Sequence, residues 1–400
     1  MKKVLVTSIL AASFAGAAFA EESSNLKVTL GGDLNSQFGG VSQKKDYRYE
    51  TPGTYTSGKL SQYSFVNDTA LKFNIDGDVD GLKYGGFIKL KADTSKNKFG
   101  DQDGNATQVM GYFESMFGKV EMGSYRGAAS AMRVDAGSVA AATGGVRGDS
   151  RFWWNKKTFD ADKNSENFVE QPVLLSDMTD GQDLGTKKAN AAKISYFTPN
   201  FSGFSLGLSY TPDLDKYGTV NNQTKSDSGS YKNIWQLALR YDVQMNDVDF
   251  KAYLAGETGK NKKSTSEVKH RKLESVEGGF AVGYMGFNFA GSYGSHMKSG
   301  VLKSASKNHK RADYWTLGAG YNYSGVGTSI TYLETREDPN GTKKTNKLQN
   351  LVVGVDYALA PGFMPYAEVA FFNLKDVAAK EANKERNRGQ VYLVGTKLSF

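Results

Sequence analysis

Residues 82–91 read LKYGGFIKLK, and the alternation within that stretch decides the fold. Leu82, Tyr84, Ile88 and Leu90 fall on one parity, while Lys83, Lys89 and Lys91 fall on the other. Successive side chains of a strand point to opposite faces, so this segment is a strand with one oily and one charged face. The period returns in 232–242, where Trp235, Leu237, Leu239 and Tyr241 alternate with Gln236 and Arg240. It returns again in 389–400: Tyr392, Val394, Leu398 and Phe400 share one face, and Lys397 and Ser399 share the other with Val391 and Leu393.

Working outward from these, about sixteen such segments can be read along the chain, with no helical period between them. They fall near 26–38, 63–76, 82–92, 107–116, 119–125, 191–198, 204–211 and 232–242, then 248–258, 274–284, 287–296, 313–323, 327–337, 348–359, 363–374 and 389–400. Alternate connections are short and rich in Gly, Asn and Pro, as at 77–81, 199–203, 285–286 and 360–362. Such residues reverse a chain quickly. The other connections, such as 40–62, 212–231, 259–273, 297–312 and 376–388, are long, polar and Lys-rich. The expectation is one closed antiparallel barrel, all-β, with short turns at one end and long loops at the other, as outer-membrane barrels have.

The lysines decide which face points in. Buried lysines without partners are costly, so the charged face must meet water. An eight-stranded barrel can fill itself with side chains, but one of sixteen strands leaves an aqueous lumen. The polar face therefore lines the lumen, and the oily face meets lipid. Aromatic residues near the short turns suit a membrane-interface girdle: Tyr196, Phe197, Phe201, Phe204, Tyr284, Phe287, Phe289, Tyr321, Tyr323, Phe363 and Tyr366.

Composition agrees. Only 39% of residues are hydrophobic, while Gly numbers 45 and Tyr and Phe number 22 and 23. No run approaches the 18 or so apolar residues of a membrane-spanning helix. Lys2 and Lys3, the apolar run 4–19 and the small-residue site Ala18-Phe19-Ala20 form a secretory signal peptide over 1–20. Its removal would leave a barrel domain over 21–400 and lower the net charge from +8 to +6. Basic tracts that would suggest nucleic-acid binding are missing.

Catalytic and metal chemistry finds little foothold. The chain has no cysteine, and its three histidines, His270, His296 and His309, fall in loops or loop edges, where a lone His is usually solvated. Ser, His and Asp are not placed together by any nucleophile signature. The acid-rich stretches 76–80 and 101–104 lack the full calcium-loop pattern and read as a turn and a loop surface. No cofactor is expected.

Three stretches carry a family likeness: FGKVEMGSYRGAASAMRVDAG at 117–137, AKISYFTPNFSGFSLGLSYTP at 192–212 and GQVYLVGTKLSF at 389–400. Together they resemble the trimeric general porins of the Gram-negative outer membrane. The resemblance implies passive diffusion of small hydrophilic solutes and ions through a homotrimer, with lipid and lipopolysaccharide around it. It also implies that the terminal aromatic, Phe400, is read by the barrel-assembly machinery. In that family the third long loop folds into the lumen and narrows it, a position that residues 126–190 occupy here. By resemblance Asp135 and Asp149, among Arg126, Arg133 and Arg147, would face basic residues on the opposite wall. Where the family commonly has arginine after the glycine matching Gly123, this chain has Ser124, with Arg126 two positions later.

Strand parity alone supplies the candidates for that wall: Lys27, Lys72, Lys83, Lys89, Lys91, Arg240 and Lys251. The 126–190 loop holds nine basic and nine acidic residues, so the sign of ion selectivity is left open. A second reading is a sugar- or anion-selective channel, or an adhesin, in which the long loops or Trp153 and Trp154 hold the ligand.

Overall fold

The computed structural model describes residues 26–50, 53–92, 106–156, 169–178, 189–216, 230–262, 269–301, 303, 311–337, 345–375 and 386–400. The expected leader at 1–20, the acid-rich stretch 101–104 and His309 lie outside them.

Sixteen strands close into one barrel. They are β1 (Lys27–Ser42), β2 (Tyr63–Val79), β3 (Leu82–Lys91), β4 (Ala106–Ser115), β5 (Gly118–Ser124), β6 (Ala192–Phe197), β7 (Phe204–Asp213) and β8 (Tyr231–Met245). The remainder are β9 (Val248–Asn261), β10 (Leu273–Tyr284), β11 (Phe287–Ser295), β12 (Ala312–Tyr323), β13 (Val326–Glu337), β14 (Asn346–Tyr357), β15 (Phe363–Lys375) and β16 (Arg386–Ser399). Each strand pairs with its chain neighbours, and β1 closes the ring against β16 from Asp33↔Ser399 to Ser42↔Gln390. Closure removes the unpaired edges that an open sheet would present.

All sixteen expected segments are strands. β1 and β16 run further than the alternation suggested, because their outer ends pair at Val41↔Val391, two apolar residues buried at 6% and 0% exposure on the inner face. Polarity no longer reports which way a side chain points there. Several short turns place a non-glycine and then a glycine at positive φ, as in Asp80 (50°) with Gly81 (81°) and Ser324 (49°) with Gly325 (86°). Two consecutive positive φ values match the twist of a two-residue hairpin.

The oily face is outside. Phe65 is 81% exposed, Leu254 62%, Val394 61% and Phe38 44%. So continuous an apolar wall is stable against hydrocarbon and costly against water. At the short-turn end Phe201, Phe204, Tyr284, Phe287, Phe289 and Tyr323 stand outward, and Phe287 and Tyr321 lie 4.4 Å apart between ring centres. Two members of the expected girdle do not belong to it. Phe197 packs inside against Met132 and its neighbours, and Tyr366 is 4% exposed, its hydroxyl donating to Asn35 at 2.8 Å on the lumen side. Being aromatic does not say which parity a residue occupies.

Candidate functional site

The lumen is occupied along one side by the segment that leaves β5. A short helix α1 (Ala128–Met132) and a series of 3₁₀ turns carry it across the inner faces of β6 to β16. Glycine makes the wall flat enough for this. A Cβ added at Gly279 would lie 2.0 Å from the Val134 carbonyl oxygen, and one at Gly320 would lie 2.4 Å from that of Val139. Gly207 stands likewise beneath Ala128 and Met132. These inward glycines, together with Ala238, Ala255 and Ala290, were legible by parity, but their role as a seat for the loop was not read from the sequence.

Buried loop backbone needs partners, and the wall supplies them. The Ala128 N–H donates to Ser209 at 2.7 Å, Ala136 to Thr316 at 3.2 Å, Ala141 to Ser329 at 2.8 Å and Val146 to Thr331 at 3.0 Å. Ala142 and Thr143 donate to the carboxylates of Asp356 at 2.7 Å and Glu368 at 3.1 Å.

The charged residues of the loop divide into framework and edge. Arg133 is almost wholly buried and bridges Asp177, at 3.1 Å, to Glu277 on β10, also at 3.1 Å. Tyr314 donates a further hydrogen bond to Glu277 at 2.6 Å. Burial works against the guanidinium, but Glu277 and Asp177 outweigh it and hold Arg133 charged. Asp135 is 1% exposed; it caps the turn Ala136–Val139 and lies 3.2 Å from Arg147. Asp149 stands nearer the lumen, accepting from Asn35 of β1 at 3.0 Å. Burial and the nearby Asp68 raise its pKa, against the pull of Lys397 and Arg151.

The aromatic pair is part of the loop's anchorage. Trp154 is 3% exposed and stacks on Phe372 at 4.7 Å, and Trp153 packs against the same cluster. Neither presents the open platform that a sugar would need.

The helix and turns of the loop make their main contacts on β6 to β16, and most of the predicted basic residues stand on the remaining wall, on β1 to β3, which the loop touches at Asn35 and Gly39 of β1. Lys72 pairs with Asp33 and is register partner to Lys89, and Arg126 is exposed within electrostatic reach of Lys89. Lys91 lies opposite Ala70, while Lys27 and Lys83 lie nearer the short turns, opposite Asp76 and Asp78. Arg240 and Lys251 stand on β8 and β9, on the side the loop covers: Arg240 bonds Asp242 at 2.6 Å and reaches the Met132 carbonyl at 3.4 Å, and Lys251 is opposite Asp242. Among the lumen charges absent from the expected ladder are Asp33, Asp68 and Lys397. Their inward parity was readable, and Lys397 donates to the Ala142 carbonyl of the loop.

His296 corrects an expectation. It is 0% exposed and bonds through Nε2 to the Val173 carbonyl at 2.8 Å, pinning the far end of the described loop beside β11. Burial lowers its pKa to about 4, helped by Arg311 and opposed by the Val173 bond and Asp313. The folded value lies below the unfolded one, so this contact is fully present above about pH 6.5 and is lost as pH falls toward 4, at a cost of about 3 kcal/mol. Limited proteolysis of the loop should accelerate through that window, and His296→Gln should flatten the pH dependence. Among the described residues no group of three or more His, Asp or Glu is arranged to hold a metal ion.

A closed sixteen-strand barrel with an infolded loop defines a membrane pore architecture, and the comparisons agree. A model of the Gram-negative porin family matches residues 6–377, and the chain belongs to that family. Uncharacterized proteins of Rickettsia bellii and Rickettsia typhi are 26% and 25% identical, over the full length of both chains in each case. Among solved structures, the anion-selective porin from Comamonas acidovorans superimposes with a TM-score of 0.57 at 16% identity, covering 94% of this chain and all of that one. A loop-deletion mutant of OmpT from Vibrio cholerae gives 0.54 at 11% identity over 94% and 99%. At such identities the likeness is one of fold. The family and the barrel together make this chain an outer-membrane porin.

Proposed function

We propose that the barrel carries small hydrophilic solutes and ions across the outer membrane by passive diffusion, without catalysis, and that selectivity is set where the loop edge faces the charged wall of β1 to β3. The observation that carries this reading is the asymmetry of the lumen. One side is filled by a docked loop bearing Asp149, and the other keeps Lys72, Lys89, Lys91 and Arg126 beside Asp33 and Asp68. Fixed charges of both signs across a narrow aqueous passage discriminate among permeating ions.

Planar-bilayer recording in a salt gradient tests it. Replacing Asp135 and Asp149 together by Asn should shift the reversal potential toward anions, with Asp149→Asn supplying most of the change, because Asp135 is buried against Arg147. Acidification should produce the same shift, beginning above the ordinary carboxylate range of about 4, since Asp149 takes up its proton early. An unchanged potential in the double variant would mean that neither carboxylate reaches the narrow zone. Absence of discrete steps at any voltage would defeat the pore itself.

The same reading takes residues 1–20 as a cleaved export leader, and a homotrimer as the working assembly. Phe400 exchanges backbone hydrogen bonds with Gly32 at 2.9 and 3.1 Å, next to the β1–β16 seam, and its ring is 65% exposed. A terminal aromatic so displayed suits recognition by the barrel-assembly machinery. For the ligand-selective or adhesin alternative, burial takes Trp154 out of the set of ligand-holding residues, while much of the long Lys-rich loops lies outside the described residues.

A further inference from the structure

The lumen wall near the start of the infolded loop carries rings as well as charges. One inner row across β2 to β6 is Asn74↔Phe87↔Met110↔Gly123↔Lys193. Phe87 stands two positions from Lys89 on β3 and so shares its face. Gly123 adds no side chain to the row. Tyr125, two positions further, meets Phe87 edge to face, with ring centres 5.6 Å apart and 74° between the planes. Both rings are half-buried, while Met110 beside Phe87 in the row is buried.

The root of the loop holds this arrangement rigid. The buried Lys193 ammonium donates to the Tyr125 carbonyl at 2.6 Å and to those of Ala189 and Ala191, both at 2.7 Å. It thereby ties the departing end of the loop to the returning end, and Arg126 leaves a fixed point beside the rings. The next inner row toward the long loops is Lys72↔Lys89↔Gln108. Lys72 is taken by Asp33, and Gln108 donates to Asn190 at 3.2 Å. The Lys89 ammonium and the Arg126 guanidinium, within electrostatic reach of each other and the first also of Asp68, make no hydrogen bond or ion pair among the described residues. Three cations stand here against the two carboxylates Asp33 and Asp68.

Fixed charges alone would serve any small ion. Half-buried rings beside two unpaired cations make a different pattern, an apolar surface with a few placed polar groups, which is how proteins select small molecules. We propose that this stretch of wall is a subsite for aromatic monocarboxylates, the carboxylate between Lys89 and Arg126 and the ring against Phe87 and Tyr125. A guanidinium offers a fork that matches a carboxylate, and a planar ring meets aromatic neighbours in offset or edge geometries that a puckered ring does not reproduce. The inference rests on the pore reading above and names the class of solute that the same passage favours.

Planar-bilayer recording of the purified protein in potassium chloride tests it, with benzoate as probe and cyclohexanecarboxylate, acetate and benzyl alcohol as comparisons. Benzoate is expected to interrupt the single-channel current at a half-blocking concentration in the millimolar range, several-fold below that of cyclohexanecarboxylate. Acetate, which lacks the ring, and benzyl alcohol, which lacks the charge, should leave the current unchanged at the same concentration. Phe87→Leu keeps an apolar residue and removes the ring, and should raise the half-blocking concentration of benzoate roughly threefold to tenfold. Lys89→Gln should also raise it, while the preference for benzoate over cyclohexanecarboxylate stays in place. Equal block by the two cyclic acids, block by acetate, or an unchanged benzoate response in either variant would each overturn the subsite. The comparison of acids on the wild type decides the matter even where a variant fails to assemble. A wild type with normal steps and no benzoate block loses the subsite alone, whereas a wild type without steps defeats the pore reading beneath it.

Discussion

Gly279→Val combined with Gly320→Val is expected to lift the infolded segment off the wall and to raise single-channel conductance several-fold, with the barrel intact. Each new Cβ would stand within 2.4 Å of a loop carbonyl oxygen, at Val134 and Val139, and neither contact is to a flexible side-chain end that could swing aside. Overpacking of this kind costs about 1–3 kcal/mol per site. The strands need only a small adjustment, since the Gly279 Cβ would stand 2.9 Å from the Gly291 carbonyl oxygen of β11, while the ladder hydrogen bonds are kept and valine suits a strand. The loop must give way further, since its bonds to Thr316 and Ser329 require close approach. Gly256→Val is the control: an added Cβ there faces the outer wall with its nearest neighbours at 3.5 and 3.6 Å, and conductance should not change. Wild-type conductance in the double variant would show that the loop does not narrow the passage.

The second large effect is expected at Arg133. Arg133→Met would leave Glu277 and Asp177 buried with no cation between them, and breaking a buried pair from one side costs about 3–5 kcal/mol. The loss falls on docking of the loop, because Arg133 and Asp177 both lie in the loop and only Glu277 belongs to the barrel. Hydrogen exchange of the backbone amides in 128–147 should accelerate markedly, while the amides of β10 remain protected. Adding Glu277→Gln should recover part of the protection by removing one stranded carboxylate. Lysine is expected to rescue poorly, since a point charge cannot reproduce a guanidinium fork that meets two carboxylates at once. Unchanged protection in the single variant would mean that backbone bonds and the glycine seat hold the loop unaided.

Much of this molecule could be read before any coordinates. The strands follow from a period of two repeated in segments such as 82–91, and the direction of the faces follows from lysines that cannot be buried alone. Closure follows from the cost of leaving sheet edges unpaired, whereas the infolding of residues 126–190 was implied by the family resemblance, their length and irregularity saying no more than that the loop is functional. Parity also assigns Lys72, Lys89 and Lys91 to one face of their strands, because each strand imposes its own two-fold alternation however the barrel curves.

The roles within the lumen were another matter, and particular residues show why. Asp135 and Asp149 are the same residue type in one loop, yet one is sealed against Arg147 and the other bonds Asn35 of β1. Arg133 reads like Arg126, but the first rivets the loop to Glu277 and the second stands exposed. Phe197 and Tyr366 carry the chemistry of the girdle and point inward, and His296, in a loop, is wholly enclosed. The sequence by itself determined the barrel and the identity of its two faces, because alternation is a local property of each strand. Only the tertiary structure decided which lumen charges are framework and which are free to meet a solute, because that depends on contacts the chain makes only when folded, such as Arg133 with Glu277 144 positions away.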